Sequence, residues 1–153
     1  MDALESKVPP PVVTLLLAGA MKVVASIAPT LQLPSVTGTA AAAVLFAAGL
    51  LVEAAGAVSL LRAGTTFDPT HPQSASVLVV SGMYRLTRNP IYLGDLLLLL
   101  GWAVFLERPL ALAMTPLFVL YIDRLQIRPE ERALSELFGE RYDEYRARVR
   151  RWL

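Results

Sequence analysis

The chain has 153 residues, 55% of them apolar and only 18% charged, with a formal net charge of +1; this is too apolar for an ordinary soluble fold and points to a bilayer as solvent. It contains no cysteine and one histidine, His71, which excludes disulfides, thiolate nucleophiles and cysteine- or histidine-cluster metal sites. Basic residues crowd the tail, but acidic residues interleave them, and the near-neutral balance gives nucleic-acid binding no support.

Met1–Pro11 carries Asp2, Glu5 and Lys7 beside three prolines. It lacks the basic start of a secretory signal, so the apolar run after it is read as retained. Four apolar runs follow: Val12–Ala28, Val36–Leu61, Ile91–Leu106 and Leu110–Ile122. A crossing helix needs about 20 residues. The first two runs suffice; the last two must borrow length from their flanks, the final one as far as Ile127. Pro29 and Pro34 stop the helix in the link Pro29–Thr37. Gly19, Gly38, Gly49, Gly56 and Ala40–Ala43 let helix backbones approach closely in lipid.

Lys22, Glu53 and Asp95 sit within or at the edge of these runs, where an ionised side chain costs at least about 2.5 kcal/mol. Lys22 is expected to snorkel to an interface and Glu53 to pair across helices. Asp95 follows Arg88 by seven residues and Tyr92 by three, which places it on their helical face. Glu107-Arg108-Pro109 breaks the third run from the fourth and predicts a helical hairpin. Beyond it, Tyr121–Leu153 holds eight of the fourteen Lys/Arg and seven of the thirteen Asp/Glu. Arg128-Pro129-Glu130-Glu131 reads as a helix start, with proline first and acids in the first turn. Leu134, Leu137, Phe138, Tyr142, Tyr145 and Val149 then recur at amphipathic spacing, a helix lying on the membrane face that Gly139 divides.

Arginines set the orientation. Arg62, Arg85 and Arg88 fall in the segment before the hairpin and the tail is Arg-rich, while the hairpin turn has only Arg108 and Pro29–Thr37 has none. Four spans with both termini cytoplasmic satisfy this asymmetry. The fold expected is an all-α polytopic membrane bundle of about four transmembrane helices with a C-terminal amphipathic cytosolic helix. It forms one domain over 1–153: two N-terminal spans (12–61), then a loop, the hairpin and the tail helices (62–153).

Two features carry chemistry. Leu78–Gly94 gathers Gly82, Tyr84, Arg85, Arg88, Asn89 and Tyr92 at the water boundary, with Pro90 starting the third span and Asn89 at its cap. Such a rim binds a carboxylate or phosphate; an interfacial anchor is the plainer alternative. Glu130–Glu131 compensates a helix dipole, yet the topology brings it to the same face, where a carboxylate can accept both hydroxyls of a ribose or pair with an ammonium.

Gly82-x-Tyr84, Arg88-Asn89-Pro90-x-Tyr92-x-Gly94, the hairpin, Glu130-Glu131-Arg132-Ala133-Leu134, Phe138-Gly139 and Tyr142-x-x-Tyr145 resemble, in order and spacing over about Ala63–Leu153, the isoprenylcysteine carboxyl methyltransferase and phospholipid methyltransferase superfamily. The resemblance implies a methyltransferase of the cytoplasmic membrane that uses S-adenosylmethionine, releases S-adenosylhomocysteine and has no metal. Ser76, Val77, Leu78 and Val79 would line the adenosine side of a cytosol-facing pocket. Tyr84, Asn89, Pro90, Ile91 and Tyr92 would hold the amino-acid end, and Glu130 would close the other side. Arg88 and Asp95 are the candidates for catalysis, Asp95 or Glu53 being the base that an ammonium acceptor requires. Asn89 stands where the family has histidine, and Gln126 where its prenylcysteine enzymes have an arginine. The acceptor would be a lipophilic small molecule or membrane lipid bearing a carboxylate, amine or thiol, entering from the bilayer. A non-catalytic membrane binding or assembly protein and a membrane reductase of related fold are the competing readings.

Overall fold

The computed structural model describes residues 8–27, 29, 35–65 and 75–153; His71 and residues 30–34 of the first link lie outside the described residues. Among the described residues there are only helices and connecting turns. In chain order these are α1 (Pro10–Ile27), α2 (Ser35–Ala63), a short 3-10 helix (Gly82–Arg85), α3 (Pro90–Leu106), α4 (Pro109–Leu112), α5 (Thr115–Ile122), a π-turn (Asp123–Ile127), α6 (Arg128–Phe138) and α7 (Glu140–Arg148). Three stretches are long and apolar enough to cross a membrane: Pro10–Ile27, Gly38–Ala63 and Pro109–Phe138. α3 is apolar but has only 17 residues, roughly 26 Å at the helical rise, and lies inside the bundle with Leu99, Gly101 and Ala103 buried.

Proline sets the helix starts. Pro90 and Pro109 open α3 and α4, and proline also stands in the first turn of α5, where its fixed φ suits a helix and its missing N–H loses nothing. α3 ends on Glu107, whose left-handed backbone (φ 53°) returns its N–H to the Val104 carbonyl. Arg108 next to it donates from Nε to the Ala25 carbonyl at 2.9 Å, so the hairpin turn also satisfies an open carbonyl at the end of α1.

Small residues seat α3 against α2. A Cβ at Gly94 would stand 2.8 Å from the Gly49 carbonyl oxygen and from Glu53 Cβ, and one at Gly101 would stand 3.2 Å from the Ala42 carbonyl oxygen. Contact this close replaces the hydrophobic drive that lipid cannot supply. α1 packs on another face of α3. There Trp102 Nε1 donates to the Ala18 carbonyl at 3.0 Å and Thr14 Oγ1 to Asp95 Oδ1 at 2.9 Å. Met21, Tyr92, Leu99, Phe118, Ile122 and Ile127 form the core between α1, α3 and α5. Leu15 and Leu51 are 72% and 70% exposed, an outward apolar surface that fits a lipid surround and not water.

α6 starts at Arg128 as expected, with Pro129, Glu130 and Glu131 in its first turn, but it does not start from a break. The backbone continues from α5 through the π-turn into α6 with Ile122 and Arg128 both helical. Proline has no N–H for the carbonyl four residues back and its ring crowds that carbonyl; the widened turn just before Pro129 accommodates both. Gly139 does divide the tail, with φ 52° between α6 and α7.

Candidate functional site

Where α2 ends and α3 begins, the bundle forms a partly open cavity of about 220 Å³. Ala75, Val77, Leu78 and Val79 wall one side, held to the end of α2 by the Thr65 hydroxyl, which accepts from the Ser76 and Val77 N–H groups at 3.2 and 3.4 Å. Tyr84 and Arg88–Tyr92 form the next wall; Glu130, Glu131 and Leu134 of α6 face them, and Tyr142 and Tyr145 of α7 complete the lining on that side. Pro10 and Pro11 of α1 and Glu53 and Leu60 of α2 also reach the lining.

Gly82 sets the approach of the loop to this wall. Its φ of 61° is unfavourable for any residue with a Cβ, and a Cβ there would stand 2.5 Å from Ser59 Oγ of α2. The 3-10 helix is therefore laid flat on α2, and Tyr84 is carried to the cavity. The Tyr84 carbonyl accepts from Tyr145 Oη at 2.7 Å. Burial, reinforced by the nearby Glu130, pushes the Tyr84 hydroxyl above its ordinary range. Burial and then Glu131 raise Tyr142 to about 12, and Tyr145 rises through burial and Tyr142. All three phenols are neutral donors at physiological pH.

The two halves meet directly at Tyr92–Glu130 and at Arg88–Glu131. Tyr92 Oη donates to Glu130 Oε1 at 2.5 Å, linking the start of α3 to α6 across the cavity. Beside it lies an ion-pair network. Arg88 Nη2 donates to Glu131 Oε1 at 2.7 Å, and its Nη1 to the carbonyls of Arg146 and Val149, each at 3.0 Å. Arg151 reaches Glu131 through Nε at 3.1 Å and Nη2 at 2.5 Å, and Asp123 through Nη1 at 2.6 Å. Hydrogen bonding to Glu131 is the main cause that raises the Arg151 pKa further.

Val77, Leu78, Val79, Tyr84, Arg88, Asn89, Pro90, Ile91, Tyr92 and Glu130 are brought together on the cavity. Ser76 is not part of its lining. Asp95 lies behind the lining, 3% exposed, with Oδ1 bonded to Thr14 and Oδ2 buried without a hydrogen-bond partner among the described residues. Its expected alignment with Arg88 fails because Arg88 precedes the helix, and helical spacing counts only from Pro90 onward. Asn89 occupies the cap position as expected, yet its side chain does not cap the helix; Nδ2 donates to the Arg151 carbonyl at 2.8 Å. Gln126 is fully buried, with Nε2 donating to the Val8 carbonyl at 2.7 Å and Oε1 unpartnered among the described residues. Glu53, expected to pair across helices, packs its Cβ against Gly94 and lines the cavity. Lys22 is exposed on α1. Sequence reasoning missed Asp123 and Arg151 altogether; the only signal was an arginine-rich tail with several equivalent members.

The phospholipid methyltransferase family model matches residues 37–141. Among curated relatives, the protein-S-isoprenylcysteine O-methyltransferase of Saccharomyces cerevisiae is 37% identical over 98 residues, covering 60% of this chain and 40% of that protein. The enzyme of the same name from Rattus norvegicus is 33% identical over 112 residues, covering 69% and 39%. A Haemophilus influenzae protein is 43% identical over 63 residues, which are 41% of this chain and 100% of that one. The chain thus spans about two fifths of the length of the two methyltransferases. No solved structure matches it.

Proposed function

The chain belongs to the phospholipid methyltransferase family, and from that premise we propose that it is a multi-pass membrane enzyme that uses S-adenosylmethionine to methylate a lipophilic acceptor. The observation that carries the reading is the Tyr92–Glu130 hydrogen bond, which closes two motifs from distant parts of the chain onto one cavity. Residues 1–153 act as one domain, placed in the cytoplasmic membrane with both termini and the cavity on the cytoplasmic side, as the arginine distribution favours.

The lining suits such a cofactor. Val77, Leu78 and Val79 offer an apolar wall for an adenine, and Glu130 a carboxylate for ribose hydroxyls or an ammonium. Tyr84, Asn89, Pro90, Ile91 and Tyr92 would hold the amino-acid end; Ser76 would contribute through its backbone contact with Thr65. Arg88 Nε is buried and has no hydrogen-bond partner among the described residues, a donor left for the cofactor's carboxylate or the acceptor.

Held by these residues, S-adenosylmethionine would supply a methyl group from its sulfonium to the acceptor's lone pair, the electron pair of the broken carbon–sulfur bond remaining on sulfur in S-adenosylhomocysteine. The chain's contribution is alignment and exclusion of water by the bound cofactor and acceptor, for which a cavity without a protein nucleophile is sufficient. An ammonium acceptor must first lose its proton; Glu53 on the lining and Asp95 behind it are the carboxylates proposed to take it. A carboxylate or thiolate acceptor needs no base. The acceptor would enter from the bilayer beside Pro10, Pro11 and Glu53, where the lining passes from the rim to the spans.

Calorimetry with S-adenosylhomocysteine in nanodiscs tests the cofactor reading. Binding that Tyr92→Phe and Glu130→Ala both weaken is expected, and no binding in nanodiscs and in detergent overturns it. Incubation with extracted membrane lipids and isotopically labelled S-adenosylmethionine, read by mass spectrometry, identifies the acceptor.

A further inference from the structure

The segment after α7 touches both walls of the cavity through one residue. Val149 leaves the helix in an extended conformation, and the backbone beyond it runs beside residues 87–89. Arg88 N–H donates to the Arg150 carbonyl at 3.0 Å, Thr87 Oγ1 to the Arg151 carbonyl at 3.1 Å, and Asn89 Nδ2 to that same carbonyl at 2.8 Å. Thr87 and Asn89 are buried. The Arg151 guanidinium turns the opposite way, with two bonds to Glu131 and one to Asp123. Trp152 packs against the core cluster, which fixes the backbone on the far side of Arg151. The main chain of Arg151 thus grips the wall before α3, and its side chain grips the wall formed by α6.

We propose that Arg151 is a positioning residue that holds the two walls at the spacing needed for the cofactor, so that it governs cofactor affinity without touching the cofactor. Three features carry this. Arg151 is not part of the cavity lining, whereas Asn89, Arg88 and Glu131, all of which it or its neighbours bond, are. Glu131 is bonded by Arg88 as well as by Arg151, so loss of Arg151 leaves that carboxylate paired and the walls joined by Arg88 and Tyr92 alone, without the contact that fixes Glu131 and Asp123 from behind. The link between guanidinium and two carboxylates is a planar, several-point contact that an ammonium cannot reproduce.

The proposal rests on the cofactor reading above, and the experiment separates the two. Wild type, Arg151→Ala and Arg151→Lys are prepared as full chains in nanodiscs; S-adenosylhomocysteine affinity is measured by calorimetry, and KM for S-adenosylmethionine against kcat in the lipid assay. Arg151→Ala is expected to weaken binding about tenfold or more and to raise KM with kcat little changed, the signature of displaced binding groups. Arg151→Lys restores only part of the loss, and added methylguanidinium restores part of it in Arg151→Ala. Trp152 emission, read in a Trp102→Phe background without cofactor, shifts to the red in Arg151→Ala as the segment loosens. Wild-type binding with unchanged affinity in Arg151→Ala overturns the positioning role; so does an equal fall in kcat and affinity that methylguanidinium does not reverse. Absence of binding in wild type overturns the cofactor reading, and an unshifted Trp152 emission then overturns the brace as well.

Discussion

Removing the Tyr92 hydroxyl is the most direct probe of how the cavity is closed. At 2.5 Å the bond to Glu130 has the length of a hydroxyl donating to a carboxylate, about 2.5–2.7 Å, and such bonds are worth about 1.5–3 kcal/mol net. Tyr92 is 6% exposed, so its ring stays packed in Tyr92→Phe and no cavity opens. Glu130 is only half-buried by its own surface, and water can replace the lost donor in part. The expected loss is therefore near the lower end of the range, about 2 kcal/mol. Reversible unfolding of the full chain by sodium dodecyl sulfate in mixed micelles measures it. A double-mutant cycle of Tyr92→Phe with Glu130→Gln isolates the pair, and a coupling of about 1–2 kcal/mol is expected. A coupling below about 0.3 kcal/mol refutes the reasoning, because contacts this close couple by more than that when the bond is real.

Gly94→Ala forces a Cβ to 2.8 Å from the Gly49 carbonyl oxygen and Glu53 Cβ and should cost about 1–3 kcal/mol by overpacking, read in the same micelle assay. Gly19→Ala, with nothing within 4 Å of the new Cβ, is the control that leaves stability unchanged or slightly raised. Gly82→Ala puts an alanine at φ 61° against Ser59 Oγ, costing about 1–2 kcal/mol for the backbone alone; Ser59→Ala should recover the contact part but not the backbone part. Alkali gives a signed test. The Tyr142 hydroxyl has a folded value of about 12 against an ordinary 10, so the stability it contributes is fully present below pH 10 and is lost as pH rises from 10 towards 12. Ultraviolet titration of tyrosinate alongside unfolding should show this decline, flattened in Tyr142→Phe.

The spans were legible because hydropathy and proline act locally. Val12–Ala28 and Val36–Leu61 fall within a few residues of α1 and α2, and Pro90 and Pro109 mark the true starts of α3 and α4. The gathering of Val77–Tyr92 with Glu130 followed from topology and the family resemblance together. What escaped was long-range pairing. Arg146, Arg148, Arg150 and Arg151 have near-identical sequence surroundings, and only the extended backbone after Val149 selects Arg151 to meet Glu131 and Asp123. The Asn89 side chain escaped for the same reason, since the carbonyl it bonds belongs to a residue 62 positions away. Asp95 shows the limit of counting spacings across a helix start.

The five-residue turn at Asp123–Ile127 bears on how this sequence tolerates change in length. A π-turn is an α-helix carrying one residue more than its turn requires, and each residue rotates the chain beyond it by about 100°. Loss of one residue between Ile122 and Arg128 would leave an unbroken α-helix of similar apolarity, with every hydropathy feature intact. Its carboxylates would still face Tyr92, because the widened turn absorbs the rotation of that one residue; an unbroken α-helix through the present sequence would instead turn them about a quarter-turn away. The phase of Glu130 and Glu131 is thus set by the widened turn, and a helical wheel drawn from the span outward at about 100° per residue would assign them to the wrong side.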